Sequence, residues 1–182
     1  MTVTTELIRF QTDVLSKASP EAVYDVLADL ESHLEWAGRR SKRKGFRLVE
    51  LDAPATAAMV GTQFSSLGDN GNAMFHDTSV VTEAARPGRF SFGTDSRLAR
   101  KHRADWHAHF THRYAIEAAG AGSRISYVAT CDRASYRPYW LQPGVRRLTR
   151  AMVRKMMRDQ LTNLAGLAEE RSTADDTPSA VG

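Results

Sequence analysis

The chain has one cysteine, Cys131, which excludes an internal disulfide and a multi-cysteine metal site and suits a reducing compartment. No apolar run approaches the roughly 20 residues that a membrane-spanning helix needs. Met1 to Lys17 carry Glu6, Arg9 and Asp13 inside their most apolar stretch, so they hold no signal-peptide core and the chain reads as cytoplasmic. The GxSxG element of serine hydrolases and the glycine-rich loops that cradle phosphates are missing, and no cofactor is expected. Neither sign of charge dominates. With 25 Lys and Arg against 21 Asp and Glu, the net charge is +4, so the placement of the basic residues matters more than their number. Basic residues interleaved with exposed aromatics along a groove are not evident, which argues against nucleic acid as a partner.

What is present suffices for one domain with a full core: 182 residues, 42% of them hydrophobic and 25% charged. Residues 7 to 16 alternate Ile8, Phe10, Thr12 and Val14 with Arg9, Gln11 and Asp13, the pattern of a half-buried strand. Ser19 can cap a helix that has Pro20 at its first position and Ala22, Val23, Val26, Leu27 and Leu30 at helical spacing, ending near Glu31. His33 to Gly38 make one more short turn, and a basic loop follows. From Phe46 to Asp132 the runs FRLVELD, VGTQFSS, MFHDTSVVTEA, GRFSFGT, DWHAHFTHRYAIEA and SRISYVATCD are broken by turn residues, which predicts an antiparallel sheet. Pro143-Gly144 opens an amphipathic helix running to about Arg171. Val145, Leu148, Met152, Met156, Leu164 and Leu167 lie close to one stripe, with Arg146, Arg147, Arg150, Arg154 and Arg158 elsewhere. The expected architecture is α+β: one domain over residues 1–171, a sheet curled around the long closing helix, then a loose polar tail at 172–182. The gap between a strongly twisted sheet and a single helix is a natural binding cavity.

Several stretches carry a family resemblance: Ala18-Ser19-Pro20-Glu21-Ala22-Val23-Tyr24 through Leu30, Trp36, Val60-Gly61-Thr62, Val80 to Ala84 running into Arg86-Pro87-Gly88-Arg89-Phe90, Gly122-Ser123-Arg124-Ile125, and Leu161-Thr162-Asn163-Leu164. In these the chain resembles the START-like, Bet v 1-like (SRPBCC) superfamily, and within it the bacterial polyketide cyclase/dehydrase and lipid-transport group. The resemblance covers residues 7 to 170 and implies a helix-grip fold whose cavity holds an apolar small molecule of polyketide or lipid type. Its motifs are mostly turns, caps and core positions, so they mark the fold better than the activity.

The segment richest in chemistry is Asp105 to Glu117. Its even positions, Trp106, Ala108, Phe110, His112, Tyr114 and Ile116, are expected to face inward, and His107, His109, Thr111, Arg113 and Glu117 outward. His112 then sits in an aromatic lining beside Tyr114 and Tyr127. There it is either a neutral base of lowered pKa or a buried histidine bonded to a neighbouring strand. With Phe10, Thr12, Trp36, Phe92, Trp106, Phe110, Met152 and Met156, these residues form the expected ligand lining, and His112 and Tyr127 are the candidates for proton transfer. His107 and His109 share a face that His112 does not, so no metal site is expected. His76 reads as a rim or surface residue, and the facing of Asp77 stays open because Val80 and Val81 are both apolar. Cyclising members of the resembled family use a cavity arginine; Arg113 falls outside by parity and Arg137 lies in the loop Tyr136-Arg137-Pro138-Tyr139-Trp140, either a lid or packing at the helix entrance. Cys131 reads as a small buried residue. The basic loops 39–47 and 97–103 form either a solvated face or a positive collar that would attract an acidic acyl carrier protein, an anionic surface or a carboxylated ligand.

Overall fold

The computed structural model describes residues 7–41, 46–69, 73–99, 105–135 and 143–175. Among the described residues, seven strands form one antiparallel sheet: β1 Ile8–Ser16, β2 Arg47–Asp52, β3 Gln63–Asp69, β4 Met74–Ala85, β5 Arg89–Ala99, β6 Trp106–Ala119 and β7 Gly122–Ala134. Their order is β1-β7-β6-β5-β4-β3-β2, so all neighbours but the first pair are consecutive in the chain. The helix-grip α+β architecture expected from the sequence is the one observed. β1 alternates buried and exposed without a break, so its odd residues meet solvent and its even residues the core.

Between β1 and β2 lie α1 Pro20–Ala28, α2 Glu31–His33 and a π-helical turn over Leu34–Arg39. The Ser19 hydroxyl accepts the Ala22 N–H, and Pro20 occupies the first turn, where its missing N–H costs nothing. α1 stops earlier than its spacing predicts because Asp29 turns extended, its N–H donating to the Asp25 carbonyl. β3 begins at Gln63 rather than Val60, since Gly61 adopts a positive φ of 91° that no strand residue uses. Gly38 packs directly on the backbone of Leu48, so any side chain there would strike the carbonyl and push the π-turn off β2.

α3, Pro143–Asp175, closes the structure. Met157, Leu161, Leu164, Ala165, Leu167 and Ala168 are buried on it. Each large side chain among them contributes roughly 1.5–3 kcal/mol of transfer free energy. Consecutive polar residues clamp this end. Glu169 accepts from the Ser16 hydroxyl and the Lys17 N–H, Glu170 takes a bidentate bond from Arg40, and Arg171 donates to Asp29 and Ser32. The amino-terminal half differs from the expectation: Leu148 is 76% exposed and Met152 67%. Continuing the buried stripe back by whole turns from Met157 leads to Val153 and Arg150, not to Met152. Met152 therefore leaves the ligand lining, and Arg150 leaves the solvated face, its Nε being buried. Residues 176–182 lie outside the described residues.

Candidate functional site

Strand registers turn the inner face of the sheet into rows of side chains. One runs Phe90, Tyr114, Tyr127 and Thr12; the next Val81, Phe92, His112, Ala129 and Phe10; the next Phe64, Ser79, Thr94, Phe110, Cys131 and Ile8; and the next Ser66, Asp77, Ser96 and Ala108. Among the described residues α3 packs chiefly on β1, α1 and the π-turn and only lightly on β7. The inner face is accordingly only partly sealed: Phe110 and His112 point inward yet are half-buried, as is Met156 on α3.

Rings dominate the first rows. Phe92 stacks on His112 with centroids 4.6 Å apart, Tyr114 stacks on Tyr127 at 4.6 Å, and Phe110 contacts both Trp106 and His112. From the helical side comes His33, which sequence reasoning missed. It meets Trp36 at 4.9 Å and also touches Phe64 and Phe92. Its Nε2–H donates to the Leu27 carbonyl at 2.8 Å, a bond only the fold reveals. The one sequence signal for it was its place three residues before Trp36 in the turn that follows α1.

Both inner histidines are held neutral. Burial pulls His33 and His112 down to about 4; for His112 the nearby His109 and His33 add to the effect. A neutral His112 accepts the Tyr127 hydroxyl at Nδ1, 2.6 Å away, and Tyr114 in turn donates to Tyr127. Burial raises both phenols above their ordinary range, so they stay protonated and act as donors. The remaining imidazole proton is thus on Nε2, free to donate to a carbonyl or hydroxyl oxygen. Cys131 is buried with its thiol pushed up to about 11, which leaves it a poor nucleophile.

Among the described residues, four buried side-chain polar atoms have no hydrogen-bond partner: Trp36 Nε1, Asp77 Oδ1, Arg150 Nε and Gln160 Nε2. Asp77, whose facing the sequence left open, is on the inner face, and exposed His76 on the outer one. His107 and Arg113 are also exposed on the outside; His109 lies there half-buried, its Nδ1 2.8 Å from Asp132. Of the two basic loops, residues 42–45 and 100–103 lie outside the described residues, as does the 136–142 segment with Arg137. The arginines that are described spend their charge on carboxylates: Arg39 and Arg40 on Glu35, Arg40 also on Glu170, Arg47 on Asp69 and Arg97 on Asp105.

The sequence from residue 8 to 169 matches one family over nearly its whole length. The chain belongs to the polyketide cyclase/dehydrase and lipid transport family. Solved structures agree on the fold. A protein from Rhizobium leguminosarum is 12% identical with a TM-score of 0.64, covering 90% of this chain and 95% of its own. A protein from Nitrosomonas europaea is 13% identical at 0.61, covering 95% and 99%. Ara h 8.0201 is 12% identical at 0.59, covering 90% and 98%. At these identities the likeness concerns the fold alone. No curated protein matches this family member in sequence. No helix among its described residues is long and apolar enough to cross a membrane.

Proposed function

We propose that the protein holds an apolar small molecule of polyketide or lipid type between the inner face of the sheet and α3. One observation supports this above others: an aromatic, half-open lining that contains polar groups left without partners, the Trp36 and Gln160 N–H donors among them. Buried polar groups are nearly always hydrogen-bonded, so unpaired donors beside stacked rings fit a guest that brings acceptors of its own. Phe10, Phe92, Trp106, Phe110 and Met156 supply apolar area, worth about 25 cal/mol per Å2 covered. Thr12, His112, Tyr114 and Tyr127 supply orientation, with His112 Nε2–H as one donor.

The hydrogen-bonded chain Tyr114, Tyr127, His112 favours a second reading, a cyclase or aromatase that moves a proton along it. Native mass spectrometry of the purified protein is expected to show a co-purified apolar compound, and the neutral fluorophore N-phenyl-1-naphthylamine is expected to bind with enhanced emission. Neither occurring would overturn the binding reading. His112→Ala should weaken binding by no more than about tenfold, the scale of one lost hydrogen bond. Loss of all turnover of a poly-β-ketone substrate in that variant, with binding retained, would establish the enzymatic reading instead. An acyl carrier protein partner stays outside the proposal, because the described arginines of the expected collar are already paired.

A further inference from the structure

Asp77 is out of place on the inner face. Its strand presents buried Val81 and Ser79 to the interior at the same parity, and Asp77 follows with Ser66 opposite on β3 and Ser96 opposite on β5. Ser96 hydrogen-bonds the carboxyl, but Oδ1 is shielded from solvent and has no partner. Burial raises the Asp77 pKa; the charge that opposes this is His76, which belongs to the outer face of the same strand. The unpaired donors of the site, on Trp36, Gln160 and Arg150, come from the π-turn and α3 and do not reach this oxygen. A carboxylate bonded to one hydroxyl, with its other oxygen buried and unpartnered, lacks a donor that a bound molecule can bring.

We propose that Asp77, flanked by Ser66 and Ser96, is a subsite for the hydrogen-bond-donating end of the bound molecule, an amine in preference to a hydroxyl. The inference rests on the cavity reading above and adds the ligand's polarity to it. The apolar body then crosses Phe110 and Phe92 toward His112. His112 and Asp77 are two strands apart and displaced by four residues along them, since Phe92 pairs with His112 and Ser96 with Asp77. At strand spacings of ~3.3 Å and ~4.8 Å that is a diagonal of about 16 Å, comparable to an extended twelve-carbon chain.

Displacement of N-phenyl-1-naphthylamine by dodecylamine and by dodecanoate tests it. Dodecylamine is expected to displace the probe from the wild-type protein at a concentration at least tenfold below dodecanoate, the scale of a charge-assisted hydrogen bond. In Asp77→Asn the ratio should fall to within about threefold, whereas Asp95→Asn, on the exposed outer face of β5, should keep the wild-type ratio. Asp77→Ser, matching the hydroxyls on either side, replaces Asp77→Asn if the latter does not fold. A wild-type ratio near one, or a ratio unchanged in both Asp77 variants, overturns the subsite while leaving the cavity standing. A ratio lost equally in Asp95→Asn also overturns it, since the preference is then bulk charge. No probe binding to wild type overturns the cavity reading and the subsite with it.

Discussion

The Tyr127 hydroxyl lies 2.6 Å from His112 Nδ1 although the register places Tyr127 opposite Tyr114 and His112 opposite Ala129. The contact is a diagonal one between neighbouring strands, within reach of a long aromatic side chain. Tyr127→Phe leaves Nδ1 without a donor in a desolvated place. A loss of about 1–3 kcal/mol is expected in urea unfolding. In a double-mutant cycle with His112→Ala the coupling should reach at least ~0.5 kcal/mol; additivity would show that the bond contributes nothing.

His33 links stability to pH. Its pKa falls from 6.5 to about 4 on folding, so between those values the unfolded chain binds a proton that the native protein refuses. Stability is therefore full above pH 6.5 and falls as pH drops toward 4, by roughly 3 kcal/mol from this group. His112 acts in the same direction and Asp77, with its raised pKa, in the opposite one. His33→Gln, whose amide can still donate to the Leu27 carbonyl, is expected to flatten the drop in urea midpoint between pH 7 and 5. An unchanged drop would assign the sensitivity elsewhere.

The two faces of α3 separate under substitution. Leu164 is fully buried, so Leu164→Ala should cost about 2–5 kcal/mol. Met152 is 67% exposed, and Met152→Lys should shift stability by no more than about 0.5 kcal/mol. Circular dichroism melts of both variants check the assignment; a large loss for Met152→Lys would mean that the stripe runs through Met152 after all.

Gly38→Ala tests the π-turn. The added methyl meets the Leu48 carbonyl, which belongs to strand β2 and cannot swing aside as a side chain would. A loss of about 1–3 kcal/mol is expected, as for other over-packed sites. Because the turn carries Trp36, its fluorescence maximum should shift to the red in the folded variant. A wild-type melt and spectrum together would show that β2 yields freely.

Local chemistry is strong where a short pattern has one outcome. Alternation in β1, Ser19-Pro20 at the start of α1 and the even face of β6 were legible because strand and helix periods act within a few residues. The inward placement of His112 and Tyr114 followed from that parity alone. Two things hid the rest. Val80 and Val81 blurred the parity of β4, so Asp77 could not be given a face, and a structural irregularity between Val81 and Glu83 shifts the register just beyond them. On α3, Leu148 and Met152 look like core from the sequence, because hydrophobicity alone does not say which way a helix is turned.

The order of the elements, the antiparallel sheet and the inward face of β6 were therefore determined by the sequence itself, through periodicity and turn residues that need no distant partner. Only the tertiary structure decided the rotation of α3, set by the clamp of Glu169, Glu170 and Arg171 on residues more than a hundred positions earlier. It alone also placed His33 against Phe92 and Asp77 on the inner face. Contacts so remote in the chain carry no local signal, because they depend on where a strand or helix ends up and not on what it is.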